Sequence, residues 1–243
     1  FRLLRNDDME MDGLPITLHC PSTEGIIFGR LSIFDPPPDD DDEDEEDSAR
    51  DPNVDAYVKN FTLVDRFFLS DSIRDCLICH RATVSDTGAE QGSAKEVAEQ
   101  IWAVSHLFLT SQTDNSDINM DDASKGVECG IVETILSLVV QCTRGIESAS
   151  PASHIYLCRV LIELTKSQPT RIPQSLAFAV SDLFNDFIPS FSPIAKENLS
   201  SWFAYHLTNT DYQWPHSYWS AWAPYAVDGM KEKRNSRGEF ITR

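Results

Sequence analysis

The chain has 243 residues, 41% of them hydrophobic, and a formal net charge of −19. That is enough apolar material for one large domain or a small pair, and it excludes a chain disordered throughout. Nine consecutive acids, Asp39 to Asp47, carry part of the charge, and the remainder is acidic as well, so broad direct binding to RNA or DNA is not expected.

Residues 1–58 read as an extended, irregular segment. Pro15, Pro21, Pro36, Pro37, Pro38 and Pro52 each remove an N–H and restrict the residue before them. The apolar island Ile26 to Phe34 is expected to pack on the body as extended chain. Residues 36–50, prolines followed by like charges, read as a disordered acidic loop.

Residues 59–228 read as an all-α helical-repeat domain. Ser70 is placed as an N-cap, followed by Ile73, Cys76, Leu77 and His80 on one helical face. A second helix is predicted over about 93–110, with Val97, Ile101, Val104 and Phe108 inward. A third is predicted over about 128–142, with Val132, Ile135, Leu136, Val139 and Val140 inward. Ile155 to Leu164 is apolar nearly all round and is expected to form the central helix. Pro173 opens a helix carrying Leu176, Val180, Leu183, Phe184 and Phe187, and Pro193 opens one carrying Leu199, Trp202, Phe203 and His206. Short Pro-containing turns between such helices predict an α-α superhelix, a HEAT-like stack of antiparallel hairpins. Residues 229–243 read as a linker towards a following domain, with five Lys or Arg against two Glu from Lys231 to Arg243. The chain starts at Phe1 rather than Met and is read as a piece of a longer protein.

Six cysteines, no visible signal peptide and no apolar run of membrane-spanning length suggest a reducing compartment. Cys76-Leu77-Ile78-Cys79-His80 has the Cys-x-x-Cys-His spacing of haem attachment, set inside an apolar helical pattern that also suits core packing. Asp117, Asn119, Asp121 and Glu128 fit part of a calcium-loop pattern, but Asp122 stands where a Gly is needed and Lys125 where a ligand belongs. No hydrolase, zinc-protease, P-loop or dinucleotide fingerprint occurs, so no catalytic residue, cofactor or metal is assigned. His154 and His206 lie at helix edges, in positions to cap or pack. The aromatic run Tyr212, Trp214, Tyr218, Trp219 and Trp222 has two readings. It can be a partner-binding surface, with Tyr212, Tyr218 and Trp222 exposed, or a seal on the end of the stack.

From His154 to Trp222 the sequence resembles the middle domain of the nuclear cap-binding complex large subunit. The residues that carry the likeness are Leu161 to Leu164, Gln168-Pro169, Ile172-Pro173-Gln174, Trp202-Phe203, His206 to Asn209, Trp214 and Trp219. Ile26 to Phe34, Val64 to Phe67 and Ile131 to Glu133 add weaker likeness, while the acid run and the stretch Asp114 to Lys125 depart from it. The resemblance implies a helical stack of the initiation-factor-4-gamma middle-domain type. It implies a non-catalytic scaffold that supports a small RNA-recognition-motif subunit, which in turn grips the methylguanosine cap of mRNA. It further implies a nuclear protein serving splicing, export and RNA surveillance. The alternatives are another helical-repeat scaffold of translation initiation or RNA decay, or a haem or metal redox protein built on Cys76, Cys79 and His80.

Overall fold

In a computed structural model of the chain, the first helix opens on a proline. The structure describes residues 26–27, 30–34, 52–84, 90–112, 126–142, 154–229 and 236–242. Pro52 takes the first position of α1 (Pro52–Asn60), where an absent N–H has no partner to lose. The expected break at Pro52 is therefore a helix start. α2 (Leu63–Val84) begins seven residues before the expected N-cap. The true cap is Thr62, whose Oγ1 accepts from Asp65 N at 3.2 Å, while Asp65 Oδ2 accepts from Thr62 N at 2.9 Å. This reciprocal box satisfies donors that Ser70, buried in mid-helix, cannot reach.

The remaining helices are α3 (Glu90–Gln112), α4 (Val127–Gln141), α5 (His154–Ser167), α6 (Arg171–Asp182), α7 (Pro193–Asn209), α8 (His216–Gly229) and α9 (Ser236–Thr242). A π-helical turn, Leu183–Phe187, continues α6, with Ile188 N donating to Leu183 O at 2.8 Å. α7 starts with Ser192 Oγ accepting from Ala195 N at 3.2 Å and Pro193 at its first position. Two short strands, β1 (Ile26–Ile27) and β2 (Arg30–Leu31), pair antiparallel with Ile26 opposite Leu31. The fold is an all-α helical stack, as the alternation of apolar helical patterns and short turns predicts.

The centre of the stack is α4, not the Ile155 to Leu164 helix. α4 packs against α1, α2, α3, α5, α6, α7 and β2, whereas Ile155 on α5 is 65% exposed. Gly130 makes the close approach possible, because a Cβ there would lie 2.6 Å from Leu69 Cδ2. Gly126, at φ 95°, turns the chain into α4 against the Tyr57 backbone.

Four polar side chains of α4 are buried: Glu128, Glu133, Thr134 and Ser137. Glu133 Oε1 accepts from Ile33 N at 2.7 Å, and Glu133 Oε2 accepts from Tyr57 Oη at 2.6 Å. Ser137 Oγ donates to Leu31 O at 2.9 Å. The extended segment expected from Ile26 to Phe34 is thus tied to α4 by its backbone, with Leu31, Ile33 and Phe34 buried. At the far end of α4, Asn198 Nδ2 donates to Val140 O at 3.2 Å and to Cys142 O at 2.5 Å. The stretch expected as a linker contains α9, whose Phe240 is buried. The acidic loop 36–50 lies outside the described residues. Among the described residues no helix is long and apolar enough to cross a membrane.

Candidate functional site

The aromatic run takes its shape from the end of α7. Tyr212 N donates to Leu207 O at 2.8 Å, and Asp211 and Tyr212 both adopt left-handed backbone, φ 52° and 57°. This is a Schellman-type stop, and it turns the chain so that Trp214 falls back onto α7 before α8 begins. Trp214 meets Phe203 edge-on at 5.0 Å and His206 edge-on at 6.0 Å.

The five residues of the run do not share one environment. Tyr212 is 67% exposed, whereas Trp214, Tyr218 and Trp219 are half-buried. Trp222, expected at the surface, is 2% exposed. It stands four residues after Tyr218 and three after Trp219, at the middle of the inward face of α8, and that spacing was the available signal. It stacks on Phe184 at 4.7 Å, and Phe240 from α9 stacks on Phe203 at 5.5 Å. Arg237 lies over the rings of Phe184 and Tyr225, and its Nε donates to Phe184 O at 3.0 Å while Nη2 bonds Asn185 O. These carbonyls belong to the π-turn, whose widened spacing displaces them from ordinary helical partners. Sealing and surface display are therefore divided within one run.

Beside it lies a groove of about 880 Å³. One wall comes from the α5–α6 turn and α6, with Pro169, Pro173, Gln174 and Phe178, and the other from Trp214, Pro215 and Tyr218. The first wall was missed as a site, although Gln168-Pro169 and Ile172-Pro173-Gln174 stood out as sequence landmarks. Rings, proline faces and side-chain amides, with Lys166 and Asp211 also in the lining, suit an extended peptide or a flat ring. His206, at the base, is buried, and burial pushes its pKa down to about 4, so it is neutral at physiological pH. Its Nδ1 has no hydrogen-bond partner among the described residues.

His154 is structural: its Nε2 donates to Asn198 O at 2.9 Å, and its Nδ1 lies 3.7 Å from Cys158 Sγ. Burial raises the Cys158 pKa to about 12. Cys76 is half-buried and Cys79 exposed on α2, while the His80 side chain lies outside the described residues. Burial first, then Cys79 and Asp75, raise the Cys76 pKa, the reverse of the electropositive setting that favours a thiolate. Of the calcium-loop candidates, Asp117, Asn119, Asp121, Asp122 and Lys125 lie outside the described residues, and Glu128 is buried in the first turn of α4. Among the described residues no group of three or more His, Cys, Asp or Glu is placed to hold a metal ion.

The family model described as MIF4G like matches residues 93–242. Nuclear cap-binding protein subunit 1 of Anopheles gambiae is 39% identical over 82 residues, 34% of this chain and 9% of that protein. The Aedes aegypti protein of the same name is 40% identical over 63 residues, 26% of this chain and 7% of its own length. The Oryza sativa protein is 34% identical over 83 residues, 32% of this chain and 10% of its own length. The matches thus span about a tenth of these relatives. No solved structure matches the chain.

Proposed function

The chain belongs to the MIF4G-like family, and from that membership we propose that it is a scaffold domain of a nuclear cap-binding large subunit. The observation that carries the reading is the family match over 93–242 together with relatives named nuclear cap-binding protein subunit 1. In this reading the domain is non-catalytic and works in the nucleus. It holds a small RNA-recognition-motif subunit, and that subunit binds the methylguanosine cap. Splicing, export and surveillance of mRNA follow from the complex, not from this domain alone. In this reading α1 to α9 form one helical body, and β1, β2 and the buried Ile33 and Phe34 add an extended arm to it.

Two features support a protein partner over a nucleic-acid one. The net charge is −19, which repels phosphate. Tyr212, Trp214, Tyr218 and Trp219 supply large, stiff contact area beside the groove, with Trp222 beneath as their support. The test is a titration of labelled capped oligonucleotide against this chain, alone and with the small subunit. Cap-dependent binding is expected only when the small subunit is present. Tight cap-dependent binding by the chain alone overturns the reading.

A further inference from the structure

The inward face of α2 carries Arg66, Leu69, Ser70, Ile73 and Leu77, all buried. A helix advances about 100° per residue, so Val64, Phe68, Asp71, Asp75 and Ile78 form the opposite stripe. Val64, Phe68 and Ile78 are 61%, 54% and 44% exposed, and both aspartates are exposed. Phe67, edge-on to Phe68 at 5.9 Å, widens the apolar end. The intervals along the stripe alternate between four and three residues, which is the spacing of a coiled-coil seam. Neither aspartate forms an ion pair among the described residues. At i and i+4 the two repel each other.

A seam that is apolar at both ends and anionic in the middle selects what can lie on it. We propose that α2 is the docking site for one amphipathic helix of another polypeptide. That helix carries apolar residues at the ends of its seam and Lys or Arg at the two central positions. The incoming cations relieve the Asp71–Asp75 repulsion, while the apolar ends cover Val64, Phe68 and Ile78. A second copy of this chain does not fit. Parallel or antiparallel pairing sets aspartate against aspartate, between molecules that each carry −19. An anionic lipid surface is excluded on the same grounds.

The test uses two synthetic helical peptides with Leu at the outer seam positions. One has Lys at the two central positions, the other Glu. Fluorescence anisotropy against the 243-residue chain should show the Lys peptide binding at least about tenfold more tightly, with the difference shrinking as salt rises. Asp71→Lys with Asp75→Lys should reverse the preference. Asp71→Asn with Asp75→Asn, which keeps the shape, should erase it, and Phe68→Ser should weaken both peptides. Circular dichroism of each variant checks the fold. Equal binding of the two peptides, binding of neither, or a preference that survives charge reversal overturns the proposal. No RNA or small subunit enters the assay, so its outcome is separate from the cap-binding reading.

Discussion

Around Glu133 the fold is held by directional bonds: one carboxylate accepts from the backbone of Ile33 and the hydroxyl of Tyr57, and Ser137 donates to Leu31 O. Around Phe184 it is held by rings, with Trp222 stacked on it and Phe240 packed at 6.0 Å. The extended segment buries Leu31, Ile33 and Phe34, but its backbone groups there are paired by side chains of α4, so its register depends on hydrogen bonds. The helices of the aromatic layer satisfy most of their own backbone groups, with Arg237 serving the two π-turn carbonyls, and draw mainly bulk from their neighbours. Damage to the first region should therefore be graded by how many donors are left unpaired, and damage to the second by volume removed.

Phe184→Ala should cause the largest loss, about 3–5 kcal/mol, through lost burial and the cavity left under Trp222. A melting midpoint close to that of the parent chain would mean that the ring layer collapses to fill the gap. Glu133→Ala should follow at about 2–3 kcal/mol, because a buried backbone donor and a buried hydroxyl lose their acceptor. Glu133→Gln keeps one acceptor and should retain part of that stability. Equal losses in urea titrations of the two variants would argue that volume, not hydrogen bonding, governs this region.

His206 gives the aromatic side of the comparison a pH dependence. Unfolded, it takes up a proton near the ordinary 6.5; folded, only near 4. Stability present above pH 6.5 should therefore fall as the pH drops towards 4, by about 2 kcal/mol between pH 7 and 5. His206→Phe should flatten that part of the curve, and a slope that persists would assign it to other groups. Ser137→Ala should have the smallest effect, about 1 kcal/mol, and hydrogen exchange should show it. Faster exchange is expected in residues 30–34 and not in α8.

The helical class and most inward faces were legible in the sequence, because α6 with its π-turn, and α7, carry clean apolar stripes: Leu176, Val180, Leu183 and Phe184, then Leu199, Trp202, Phe203 and His206, are all buried. The centre was not legible. α4 hides it by burying Glu128, Glu133, Thr134 and Ser137, residue types that read as an outward face until the distant partners of Glu133 and Ser137 in the extended segment are known. Ser70 looked like a cap because it precedes an apolar pattern, yet the reciprocal Thr62–Asp65 pair starts α2 earlier. The site was half legible. Trp214 and Tyr218 lie in one run, whereas Pro169 and Phe178 reach the same groove from the α5–α6 turn and from α6. No local pattern joins the two.

The family match begins at residue 93, but among the described residues the core begins at Leu31. Tyr57, Ile33 and Phe34 fill the flank of α4, which itself lies within the family region. The matched region and the folding unit therefore differ in length. A fragment cut at the family boundary would carry an open wound along α4, and its insolubility would say nothing about the family to which it belongs. Conversely, a lineage is free to rewrite the arm before residue 93 only where the change still delivers two backbone amides and a phenol to one carboxylate.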